Sequence, residues 1–186
     1  MEKKQSLDTI CIQGGWQPEN GEPRQLPIYQ STTFKYTTSE QMGRLFDLEE
    51  NGYFYTRLAN PTNDAVAAKI CALEGGVGAM LTSSGQAANF YAVMNLCQAG
   101  DHVVSSAAIY GGTTNLFENT LPEQGITTTL VDPADPENFE KAIQPNTKLL
   151  YAETLGNPNS DVVDLEAIGE IAHRHGIPFI VDSTFA

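Results

Sequence analysis

From Asn60 onward, short apolar runs alternate with segments of helical spacing, and no other feature constrains the fold of this chain so tightly. Pro61 and Thr62 open a helix running to about Leu73, with Val66, Ile70 and Leu73 on one face, and Gly75-Gly76 stops it. Val77 to Thr82 is an apolar run expected as a strand, Ser83-Ser84-Gly85 a turn, and Gln86 to Cys97 a helix with Ala87, Tyr91 and Met94 in register. His102 to Ser105 reads as a strand, Tyr110 to Thr120 as a helix and Ile126 to Val131 as a β-branched strand. A short helix over Pro136 to Ile143 and a strand over Lys148 to Glu153 follow. Asp164 caps a helix whose apolar face carries Leu165, Ile168 and Ile171, and Gly176 ends it. Ile177 to Val181 is continuously apolar, the pattern of a buried strand in a parallel sheet. Strands alternating with helices predict an α/β fold with a mainly parallel sheet.

Residues 1–60 read differently. Pro18, Pro23, Pro27 and the Gly14-Gly15 pair break any long helical period, and only Glu40 to Glu49 suits a short helix. The stretch is expected to be an extended arm, distinct from residues 61–186. It cannot bury Trp16, Tyr29, Phe34, Tyr36 and Phe46 by itself, so a partner subunit is the expected surface. The sequence ends at Phe185-Ala186, directly after a strand with no covering helix, and is therefore expected to be the front part of a longer protein.

Charge narrows the function. Ten Lys and Arg against 23 Asp and Glu leave a net charge of −13, which argues against nucleic acid and anionic membranes as partners. No apolar run approaches the roughly 20 residues of a membrane span. Cys11, Cys71 and Cys97 are odd in number and widely spaced, giving neither a disulfide framework nor a metal site, and a reducing cytoplasm is the simplest expectation.

Ligands of open α/β sheets bind beyond the carboxyl ends of the strands, and the chemistry-bearing residues gather at such points. Ser84, Gly85 and Gln86 open a helix whose unpaired N–H groups favour a phosphate. Neither GxxxxGK[ST] nor GxGxxG occurs, which leaves a nucleotide-binding reading without its fingerprint. Asp182, with Thr184 two residues on, ends an apolar strand and needs a partner such as a protonated ring nitrogen. Glu153 and Asn157 bring an acid and an amide to one loop. Tyr110, before Gly111-Gly112, can lay its ring over a ligand. In an extended segment Tyr55 and Arg57 point to one side and would clamp a phosphate. Each signal alone also fits an ordinary turn, core tyrosine or surface ion pair. Together they describe a phosphate, a flat ring and a ring nitrogen needing an acid, which are the demands of pyridoxal 5′-phosphate.

In order along the chain these motifs are Tyr55-Thr56-Arg57 with Asn60-Pro61-Thr62, Ser83-Ser84-Gly85-Gln86-Ala87, Tyr110-Gly111-Gly112-Thr113, Glu153-Thr154 with Asn157-Pro158-Asn159, and Val181-Asp182-Ser183-Thr184-Phe185-Ala186. The set resembles the Cys/Met-metabolism pyridoxal-phosphate enzymes of fold type I, over about the first half of a family member. The resemblance implies that Ser84, Gly85 and Gln86 hold the phosphate, that Tyr110 stacks on the ring, and that Asp182, beside Thr184, pairs with its nitrogen. It implies further that Asn157 bonds the ring's 3-oxygen, with Glu153 near that network. Tyr55 and Arg57 would reach the phosphate of a neighbouring subunit in a homo-oligomer, a dimer of dimers. The lysine that carries the cofactor in the family is expected a few tens of residues beyond Ala186, and an arginine that grips the substrate carboxylate in a C-terminal domain. This chain alone is therefore expected to be inactive without a complementary C-terminal segment. The tyrosine and phosphate motifs look most like those of O-acetylhomoserine sulfhydrylases, whose substrates are an amino acid and sulfide. Methionine γ-lyases usually carry cysteine where this chain has Gly112. A lyase, a cystathionine synthase and a non-catalytic fragment are the alternatives.

Overall fold

A computed structural model describes residues 5–186, and the chain divides into two compact units, Met1–Leu81 and Thr82–Ala186. The first holds three helices, α1 (Leu7–Gln13), α2 (Ser39–Phe46) and α3 (Pro61–Glu74). Helix α1 is not foreseen in the sequence. Ser6 caps it through a hydrogen bond from Thr9 N–H, and it packs along α3, where Lys69 Nζ donates to the Cys11 carbonyl at 3.2 Å. Gly15 sits at φ +81°, and a Cβ there would lie 2.1 Å from the Ala65 carbonyl oxygen, so only glycine fits this approach. Asn60 caps α3 and also donates to the Tyr29 carbonyl at 3.0 Å, which ties the extended stretch to the helix start. Many arm aromatics stay exposed: Phe46 packs on Phe54 with centroids 4.6 Å apart yet remains 61% exposed.

In the second unit, α4 (Gly85–Leu96) precedes β1 (His102–Ser106), and α5 (Gly111–Asn115) runs through a π-helical turn at Leu116–Thr120 into the short α6 (Leu121–Glu123). Then come β2 (Thr127–Val131), α7 (Glu137–Ala142), β3 (Thr147–Glu153), α8 (Leu165–His175) and β4 (Phe179–Asp182). Among the described residues the strands form one parallel sheet in the order β2-β1-β3-β4. Alternation along the strands sends Val103, Leu149 and Tyr151 to one face, against Val93, Phe117 and Leu121, and Val104, Leu150 and Ala152 to the other, against Phe139, Ile168 and Ile171. Helices therefore cover both faces, as a parallel sheet requires.

Three expectations need correction. Val77 to Thr82 is not a strand; Val77 is fully exposed, and an apolar run between glycines makes no strand without a ladder to join. The last strand starts at Phe179 rather than Ile177, and its residues are half buried. The helix over Tyr110 to Thr120 is regular only to Asn115; Leu121 N–H then bonds Leu116 C=O, five residues back, next to Pro122.

Candidate active site

The strand order reverses beside β1, and the loops after β1, β3 and β4 open there onto one crevice with the start of α4. The crevice holds a cavity of about 370 Å³, lined among others by Ser84, Gly85, Gln86, Tyr110, Glu153, Asn157, Asp182 and Thr184. Eight of the residues singled out from sequence thus share one cavity. Tyr55 and Arg57 belong to the other unit. Arg57 Cζ lies 5.0 Å over the Tyr55 ring, but not by strand alternation: Leu58 N–H bonds the Tyr55 carbonyl at 2.9 Å and turns the chain between them.

Ser84 caps α4 by accepting from Ala87 N–H at 3.1 Å. Helix geometry leaves the Gly85 and Gln86 N–H groups without intrahelical acceptors, so the positive end of α4 faces the cavity. The Gln86 side chain turns elsewhere and donates to Thr113 Oγ1 at 3.0 Å.

Asp182 ends β4 opposite Glu153 at the end of β3. The two carboxyl groups have been driven apart in acidity. Burial disfavours the Asp182 anion, but hydrogen bonds from Thr184, Asn89 and Tyr151 outweigh it and hold the carboxyl below its usual pKa. Thr184 N–H and Oγ1 donate to Oδ1 at 3.0 and 2.5 Å, while Asn89 Nδ2 and the Tyr151 hydroxyl reach Oδ2 at 3.3 and 3.4 Å. Glu153 is raised, first by burial and further by the charge on Asp182, against the lowering effect of the Tyr110 N–H it accepts. That bond, 2.8 Å at Oε1, fixes the start of α5 and with it the Tyr110 ring, which is 50% exposed. A Cβ on Gly112 would stand 2.5 Å from Tyr110 Cε1, so the ring rests against the bare glycine. Sequence reasoning missed Asn89 and Tyr151, unremarkable helix and strand residues whose partners are distant along the chain, and placed Thr113 in the Tyr110 motif without giving it a part.

The family model for Cys/Met metabolism PLP-dependent enzymes matches residues 8–186. The chain belongs to this family. An O-acetyl-L-homoserine sulfhydrylase of Corynebacterium glutamicum is 49% identical over 88% of the chain and 38% of its own length. An L-methionine gamma-lyase of Treponema denticola is 45% identical over 86% of the chain and 40% of its own length. The crystal structure of a putative O-acetylhomoserine (thiol)-lyase of Campylobacter jejuni, which carries a pyridoxyl-lysine monophosphate, superposes with a TM-score of 0.91 at 37% identity, over 97% of this chain and 44% of that one. The fold is thus that of the pyridoxal-phosphate domain of fold type I, and the chain spans about 40% of the length of these curated relatives.

Proposed function

We propose that this chain is the N-terminal portion of a pyridoxal-phosphate enzyme that makes homocysteine from O-acetylhomoserine and sulfide. The observation that carries the reading is the convergence of an anion-binding helix start, a half-exposed aromatic ring and an ionised carboxylate on one cavity. The residues fit the cofactor: Gly85 and Gln86 N–H with Ser84 would hold its phosphate, Tyr110 its ring face, Asp182 its ring nitrogen and Asn157 its 3-oxygen. Bound there, pyridoxal phosphate supplies an electron sink for negative charge developing on the substrate's carbon skeleton. Asp182 keeps a proton on the ring nitrogen, and Thr184 keeps Asp182 aimed. Glu153 acts on Tyr110 through its backbone. Tyr55 and Arg57 serve the phosphate of a neighbouring subunit in a homo-oligomer.

In the overall exchange the γ-carbon–oxygen bond of O-acetylhomoserine breaks, acetate leaves and hydrosulfide supplies the new carbon–sulfur bond. Among the described residues, Lys35, Lys69, Lys141 and Lys148 do not line the cavity. The sulfhydrylase reading is preferred to the lyase because this chain has glycine at position 112, where methionine γ-lyases usually carry cysteine, and the Tyr110 ring rests against that glycine. The product of the full gene, supplied with pyridoxal phosphate, O-acetylhomoserine and sulfide, is expected to release homocysteine and acetate in equal amounts. Methanethiol and 2-oxobutanoate from methionine, with no homocysteine from the acetyl ester, would replace this reading with the lyase.

A further inference from the structure

Tyr151 is fully buried in the core beneath the cavity, and the function proposed above leaves it without a part. Its ring stands edge-on to Phe117, with centroids 4.9 Å apart and planes at 83°. Phenylalanine would fill the same space, so packing gives no reason for the hydroxyl. That hydroxyl donates to Asp182 Oδ2 at 3.4 Å. Burial first, then the charges of Asp182 and Glu153, push the phenol far above the ordinary tyrosine range, so its proton is always available to donate. Asn89, also buried, brings Nδ2 to the same Oδ2 at 3.3 Å and to Thr113 Oγ1 at 3.4 Å. Thr113 Oγ1 also accepts from Gln86 Nε2, so a polar chain runs through Asn89 from the α4 turn to the strand-end acid.

We propose that Tyr151 and Asn89 are positioning residues for Asp182, holding its Oδ2 atom in one orientation at the cavity wall and tying it through Thr113 to Gln86. The inference rests on the proposed contact of Asp182 with the cofactor's ring nitrogen. Without the two donors the carboxylate keeps only Thr184, on its other oxygen, and is free to turn about its terminal bond or to take up a proton.

The test uses the product of the full gene with Tyr151→Phe and, separately, Asn89→Leu. Dissociation constants are measured by equilibrium dialysis for pyridoxal phosphate and for its 1-deaza analogue, in which C–H replaces the ring nitrogen. Wild type should bind the natural ligand more tightly. Each variant should lose roughly tenfold for pyridoxal phosphate, the size of one hydrogen bond to a charged group, and nothing for the analogue. Equal losses for both ligands, or no loss for either, overturn the proposal, because the residues then act on packing or not at all. If wild type binds both ligands equally, the assignment of Asp182 falls, and this inference with it. Tyr151→Phe preserves core volume; should circular dichroism show it unfolded, Asn89→Leu decides the matter.

Discussion

Asp182 is stabilised as an anion by directional donors rather than by a neighbouring cation: burial opposes its charge and four hydrogen bonds restore it. An amide at this position retains the volume but has no negative charge to hold a proton on a ring nitrogen, and its NH2 group would confront donors whichever way it turns, Asn89 and Tyr151 on one side or Thr184 on the other. Asp182→Asn in the product of the full gene is therefore expected to lower kcat by roughly a hundredfold or more with an unchanged far-ultraviolet circular dichroism spectrum. Retention of wild-type kcat would remove Asp182 from the mechanism. Gly112 makes the opposite kind of prediction. A methyl group there meets the end of the Tyr110 side chain, which is half exposed and able to swing, while helix propensity favours alanine over glycine by about 1 kcal/mol. Gly112→Ala should therefore melt no lower than wild type but displace the Tyr110 ring, and a crystal structure with the ring in its original place would contradict the contact.

At the scale of elements, the strands are knit at their amino ends by a buried histidine remote from the crevice. His102 opens β1 and bridges both neighbours, with Nδ1 2.8 Å from Thr147 Oγ1 on β3 and Nε2 2.9 Å from Thr129 Oγ1 on β2. Gln144 Nε2 lies 3.2 Å from Nε2. Burial pushes the imidazole below its ordinary pKa, so the folded chain resists a proton that the unfolded chain accepts. The stability this contributes is complete above about pH 6.5, the unfolded value, and is lost as the pH falls toward the folded value. Urea midpoints should fall between pH 7.5 and 5.5, and His102→Gln should make that fall shallower. An equally steep fall in the variant would assign the pH dependence to other groups.

The whole molecule carries a surface its own fold does not cover. Ile28, Phe46, Leu48 and Leu58 in the first unit are each more than half exposed, a pattern that suits burial against another subunit. If Tyr55 and Arg57 act on a neighbour's site, Arg57→Ala and Asp182→Asn should complement. Mixed oligomers of the two full-length variants would contain sites with both groups intact and should regain part of the activity that each lacks. Verified mixed oligomers without such recovery would confine Arg57 to its own subunit.

The α/β class, most helix ends and the residues around the cavity were legible in the sequence, because they rest on short-range physics. Asn60, Ser84 and Asp164 cap helices through donors two or three residues away, Gly75 and Gly176 end them at φ +65° and +66°, and parallel strands announce themselves as apolar runs between helices. The tertiary structure decided what depends on partners remote in the chain. Val77 to Thr82 has strand composition but no ladder, and Glu153 is engaged by Tyr110 N–H, 43 residues away. The grip of Asn89 and Tyr151 on Asp182 spans 93 and 31 residues, and only the closing of the sheet brings those donors within hydrogen-bond reach of the acid.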